Sequence, residues 1–207
     1  MLSSLIANPV EAVVYLIGIV FALTIHEFAH AWAAVKSGDD TPRLMGRLSL
    51  NPASHIDMLG GLMFILVGFG WGKPVVYNPL RLRHRRQELY IALAGPAINL
   101  LAALLIRLLI IGILSLNIAS TPLVTFLGFL SIVATVNVYL AAFNILPIPP
   151  LDGSSIVAYF FPAFRGFFAS QIGLILILLL IIPASGGSLL GSVMMPIITF
   201  FQTITLG

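Results

Sequence analysis

Five apolar runs, at about 10–35, 88–115, 122–151, 167–183 and 189–206, limit what this chain can become. Each is long enough to cross a bilayer, whose hydrocarbon core takes about 20 helical residues. Lipid offers no partner to a backbone N–H or C=O, so such runs must satisfy their own hydrogen bonds and read as α-helices. The rest of the composition agrees. Of 207 residues, 59% are hydrophobic and only 8% charged, and the mean hydropathy is +1.10, well outside the range of a soluble domain. The first run has nothing basic before it and, from Val10 to Val35, is too long for a secretory signal, so it is expected to remain as a span. The expectation is an all-α polytopic membrane protein, one domain over 1–207, with five to six transmembrane helices and a closing C-terminal helical hairpin at about 167–206.

A sixth apolar stretch, 58–71, has only 14 positions, four of them Gly. That length suits a buried or re-entrant element better than a span. Charge points the same way. Lys36, Arg43 and Arg47 precede it, and Lys73, Arg81, Arg83, Arg85 and Arg86 follow it, so both flanks carry the cytoplasmic signature. With 58–71 dipping in and returning, nine of the ten basic residues lie inside. The tenth, Arg107, falls roughly 28 Å along its helix, where it can snorkel. The net charge of +3 is then a topology signal, and no nucleic-acid partner is expected. Residues 72–79 mix β-branched residues with Pro, so the whole 57–80 region reads as a membrane re-entrant or β-hairpin segment.

Into the first span the sequence sets LTIHEFAHAW, residues 23–32. On a helix, His26 and His30 share a face four residues apart, and Glu27 stands beside them where it can reach a metal-bound water. Four His and three Glu in 207 residues would produce H-E-x-x-H by chance roughly once in a thousand such chains, so the match is informative. The plainer account is two histidines bonded to neighbouring helices and a Glu paired with an Arg. Ionisable groups inside a membrane are costly, however, and mark function by default. With no cysteine present, a zinc ion would need a third ligand from Asp, Glu or His. The candidates are Glu11, Asp39, Asp40, His55, Asp57, His84, Glu88 and Asp152. Depth favours Asp152, because the run ending there returns to the cytoplasmic side, the side nearest His30. Pro147, Pro149 and Pro150 cannot continue a helix, and such freed backbone is tolerated at membrane depth only where protein or water satisfies it.

Three stretches, HEFAH at 26–30, AGPAIN at 94–99 and FNILPIPPLDG at 143–153, resemble the core motifs of the site-2 protease family of intramembrane zinc metalloproteases. The likeness covers about residues 15–160, the family's catalytic core. It implies cleavage of a peptide bond within or near a transmembrane segment of a substrate protein. It further implies one catalytic zinc held by His26, His30 and Asp152, Glu27 as general base, and Asn144 bonding the substrate or the tetrahedral intermediate. The expected form is a minimal one, without the inserted peptide-binding domain of some members or the C-terminal nucleotide-sensing domain of others.

His55 and Asp57 are further candidates, able to orient a zinc ligand by hydrogen bonding to it, against the plainer reading of a polar turn. Asn99 is expected to bond across helices. Trp32, Trp71 and the Phe-rich stretch after Phe160 read as interfacial anchors, and His84 as part of a basic cluster facing lipid headgroups. The expected setting is the plasma membrane of a prokaryote, with the lipid bilayer and a transmembrane substrate as partners and the site towards the cytoplasm. The sequence carries no signal for an oligomeric state. The rival function is a transporter or metal-handling protein using the same His and Asp residues as a binding site.

Overall fold

The computed structural model describes residues 7–67, 70–118, 120–164, 183–184 and 187–205. The first helix, α1, is Pro9–Lys36. It starts where the Asn8 side chain accepts from the Glu11 amide with Pro at the first position, and it carries Lys36 in its last turn, each the favoured choice at its end. A short α2 (Thr41–Leu44) and α3 (Met58–Val67) follow. The long α4 (Arg86–Leu114) has Pro96 inside it, and α5 is Thr121–Asn144. Then come α6 (Asp152–Phe160) and α7 (Leu189–Thr205). A two-residue antiparallel pair, Pro183–Ala184 with Gly187–Ser188, leads into α7.

Among the described residues, α1, α4 and α5 are long and apolar enough to cross a membrane. They pack against one another, α6 lies on α4, and α7 lies on α5 and α4. Small residues fill the seams: Ala22, Ala31, Ala34, Ala103, Ala134, Ala141 and Ala142 are buried, while Leu105, Leu108, Leu109, Val124 and Phe126 face outward. Gly18 of α1 lets α5 approach until an added methyl would stand 3.6 Å from the Val133 backbone. Small residues inside and large apolar ones outside is the distribution that lipid favours, since helices there gain from close packing and nothing from hiding leucine. The chain is a membrane protein.

Of the expected five to six spans, three stand among the described residues. Most of the 167–183 run lies outside the described residues, and α7 has 17 residues with Pro196 within it. The 122–151 run ends its helix at Asn144, and the proline segment then turns the chain into α6. The short stretch 58–71 divides into α3 and a return, and α3 at ten residues is about 15 Å long, half the hydrocarbon thickness. Ile56 and Gly72 form an antiparallel bridge, and the Lys73 amide donates to the His55 carbonyl at 2.7 Å. The segment therefore leaves from and comes back to one place. No longer β-ladder joins the two flanks among the described residues.

Candidate metal centre

Helical spacing places His26 and His30 on one face of α1, and both are buried. Their Nε2 atoms are 3.0 Å apart, with the rings edge to face at a centroid distance of 4.6 Å. What allows two imidazoles to lie so close beneath a neighbouring helix is Gly95 of α4. A methyl there would overlap His30 Nε2 and stand 2.6 Å from His26 Nε2. The next residue, Pro96, has no N–H to donate to the Ala92 carbonyl four residues back. The same helix orients them. His26 Nδ1 lies 2.7 Å from Asn99 Oδ1, and His30 Nδ1 lies 2.7 Å from the Ile91 carbonyl.

Asp152 arrives from the other direction as the first residue of α6. Its Oδ2 is 3.2 Å from His26 Nε2 and 3.2 Å from His30 Nε2. The turn that delivers it depends on Gly153, where a methyl would overlap the carbonyl oxygens of Ile145 and Leu146. The far end of α6 is held as well: the Arg85 guanidinium donates to the Tyr159 carbonyl at 2.6 Å and lies 5.2 Å from the Tyr159 ring centre.

Proton accounting shows what this group of atoms fits. Each Nδ1 faces an oxygen that only accepts, so in the neutral rings each Nδ1 carries the proton and each Nε2 offers a lone pair. The two lone pairs converge on a buried carboxylate oxygen, Asp152 Oδ2, that no donor satisfies. Three mutually repelling acceptors, all within 4.8 Å of one another, are stable together when a cation lies among them. Bonds of about 2.0–2.2 Å to His nitrogen and Asp oxygen in a tetrahedral site separate the donor atoms by about 3.3 Å. The observed 3.0–3.2 Å matches. Two nitrogens and one oxygen suit zinc and leave its fourth position open, as a catalytic site requires.

Glu27, half-buried on α1, accepts from the Val75 amide at 3.2 Å. Three residues on, the Asn78 amide donates to the wholly buried Asp39 at 2.6 Å. The strap 73–78 is thus held by two carboxylates, Glu27 on α1 and Asp39 just beyond its end. Asp39 also accepts from the Thr41 hydroxyl at 2.6 Å and the Thr41 amide at 3.1 Å, with Arg81 at 3.9 Å. Burial pushes its carboxyl up, but these hydrogen bonds and the Arg81 charge outweigh it and hold the group below its ordinary value.

The other sequence candidates make hydrogen bonds of their own. Asn144 ends α5 and donates to the Leu140 carbonyl of its own helix at 2.9 Å. His55 is buried and faces the Ser49 carbonyl at 2.7 Å, while Asp57 accepts from the Gly60 amide at 2.9 Å and so caps α3. Sequence reasoning gave no role to Gly95 or the Val75 amide, and held Asp39 only as one candidate for a third zinc ligand. Only Gly95 left a usable signal, as a Gly-Pro pair in the middle of a span.

The family model described as Peptidase family M50 matches residues 14–126 and 108–182. YwhC of Bacillus subtilis, named as a candidate zinc metalloprotease, is 38% identical over 156 residues, 72% of this chain and 70% of that protein. Two Rip2 proteins, named likewise, are each 36% identical. The one from Mycolicibacterium smegmatis matches over 142 residues, 66% of this chain and 52% of its own length. The one from Mycobacterium tuberculosis matches over 151 residues, 68% and 54%. The chain thus spans about half the length of the Rip2 relatives. No solved structure matches significantly.

Proposed function

This chain belongs to peptidase family M50, the site-2 protease family of zinc metalloproteases, and on that premise we propose that it is an intramembrane protease. Its reaction is hydrolysis of a peptide bond within or near a transmembrane segment of another protein. The observation that carries the reading is the convergence of His26, His30 and Asp152, at 3.0–3.2 Å, beside a carboxylate on the same membrane helix. His26, His30 and Asp152 would hold one zinc ion. Zinc bound there supplies a Lewis acid and brings the pKa of the attacking water towards neutrality. Glu27 takes that water's proton as it attacks the scissile carbonyl, then returns it to the leaving amine. Asn144, eight residues before Asp152, is the side chain we assign to the substrate backbone or the developing oxyanion.

In this reading α3 and its return form a re-entrant loop entered and left on the cytoplasmic side, the side that also carries Lys36 and the arginines before α4. The site then faces the cytoplasm, which supplies the water that lipid excludes. The setting is the plasma membrane of a prokaryote. A substrate helix must unwind locally before its amide can be attacked, because its carbonyls are already hydrogen-bonded.

The test compares wild type with Glu27→Gln, each purified in detergent for metal analysis and co-expressed with a panel of single-span membrane proteins. The glutamine variant should keep one zinc per chain and lose cleavage. Full cleavage by Glu27→Gln would overturn the assignment of the base, and wild-type protein without zinc would overturn the site. A transporter needs ligands and no base, so zinc uptake into vesicles unaffected by Glu27→Gln would favour that rival.

A further inference from the structure

Two wholly buried amides lie between the spans, Asn99 on α4 and Asn137 on α5, and the reaction described above uses neither. Buried amides in a membrane bundle are costly unless bonded. We propose that Asn137 is a positioning residue that, through Asn99, sets which ring nitrogen of His26 bears the proton and so keeps Nε2 free to bind zinc. The inference rests on reading His26, His30 and Asp152 as a zinc site.

The argument follows the donors from one end. The Asn137 amide nitrogen lies 2.8 Å from the Val133 carbonyl, which can only accept, so the NH2 must face it. Asn137 Oδ1 is then turned to Asn99, whose Nδ2 donates to it at 2.8 Å. The same Nδ2 donates to the Ala22 carbonyl at 3.0 Å. Both donors of Asn99 are now used, and its remaining atom, Oδ1, faces His26 Nδ1 at 2.7 Å. An amide oxygen only accepts, so Nδ1 carries the proton and Nε2 points its lone pair at Asp152 and His30. Reversing both amides would set oxygen against oxygen at Val133 and at Ala22.

His30 needs no such chain, since a backbone carbonyl, which cannot flip, faces its Nδ1. His26 relies on a side-chain amide, which can. Without Asn137, only the Ala22 carbonyl opposes a reversed Asn99. Reversal would let Asn99 donate to Nδ1, move the ring proton to Nε2 and aim it into the metal site. A ligating imidazole must offer an unprotonated nitrogen, and partners on its other nitrogen are worth about 10–100-fold in metal affinity.

The experiment measures zinc affinity of the full chain in detergent by competition with a chromophoric chelator, for wild type, Asn137→Leu and Asn137→Asp. Leucine removes the acceptor at similar size, whereas aspartate in its neutral acid form keeps an oxygen towards Asn99 and a hydroxyl to donate to the Val133 carbonyl. We expect the dissociation constant to rise about 10–100-fold for leucine and to stay within about threefold of wild type for aspartate. Leucine at wild-type affinity, or aspartate as weak as leucine, overturns the relay. Nitrogen-15 spectra of zinc-free, histidine-labelled wild type test it without any substitution. His26 protonated on Nδ1 supports the relay, and His26 protonated on Nε2 overturns it even where the leucine variant does not fold. Wild type that binds no zinc would sink the proposed function, while the spectra would still decide the relay.

Discussion

Replacing Gly95 with alanine should abolish tight zinc binding, and the size of the effect follows from the packing. The new methyl would overlap His30 Nε2 and stand 2.6 Å from His26 Nε2 and Cε1. Non-bonded carbon prefers separations of about 3.5–4.0 Å, so α1 and α4 must part by about 1 Å or the rings must swing aside. Neither escape is free. The oxygens that orient both rings, Asn99 Oδ1 and the Ile91 carbonyl, belong to the helix that would retreat. Their 2.7 Å bonds would stretch to about 3.7 Å, beyond hydrogen-bond range. Swinging the rings instead moves Nε2 by far more than the ±0.2 Å or so that a metal site tolerates. Losing two orienting bonds at about tenfold or more each weakens zinc by at least about 100-fold, about 2.8 kcal/mol. Gly112 on the same helix, where a methyl meets nothing within 4 Å, is the control: alanine there should leave zinc binding unchanged and favour the helix by up to about 1 kcal/mol. Zinc competition and thermal unfolding of the zinc-free proteins measure both effects. A Gly95→Ala protein that binds zinc within a few-fold of wild type would refute the claim that this close approach builds the site.

Gly153→Ala should act on the third ligand, because its methyl overlaps the Ile145 and Leu146 carbonyl oxygens and displaces the turn that delivers Asp152. Zinc content should fall together with the thermal midpoint, and a variant that loses neither would contradict the crowding. Asp39 should contribute stability that depends on pH. Its carboxyl is held below its ordinary value in the folded chain, so its contribution is fully present above the unfolded pKa and disappears as pH falls through the folded one. The melting difference between wild type and Asp39→Asn should therefore be largest near neutrality and close below about pH 4. A gap of constant size down to about pH 2 would show that the charge has no part in holding the strap.

How far the site could be read from the sequence depends on whether a residue's role is local or relational. His26 and His30 share a face because a helix repeats every 3.6 residues, which spacing alone reveals, and the span that carries them runs Pro9–Lys36 against an expected 10–35. The proline segment after Asn144 was legible as a break for the same reason, since a missing N–H is a property of the residue itself. That Asp152 opens a new helix, with both imidazoles 3.2 Å away, was approached only through an argument about membrane depth and through the family resemblance. Gly95 and Gly153 are defined by what another segment puts in the space of an absent Cβ, which one-dimensional periodicity does not carry. Val75 illustrates the limit, because its side chain plays no part in the contact and only its amide reaches Glu27. Asn99 and Asn137 fall between these cases. Each is visible as a polar residue inside an apolar run, a flag that something must satisfy it. The direction of each amide, on which the free nitrogen of His26 depends, emerges only when a chain of donors can be followed from a backbone carbonyl of α5 through α4 to α1. A homologue that lacked both amides would therefore need another acceptor-only group, such as a carboxylate or a backbone carbonyl, against the same ring nitrogen to keep its metal.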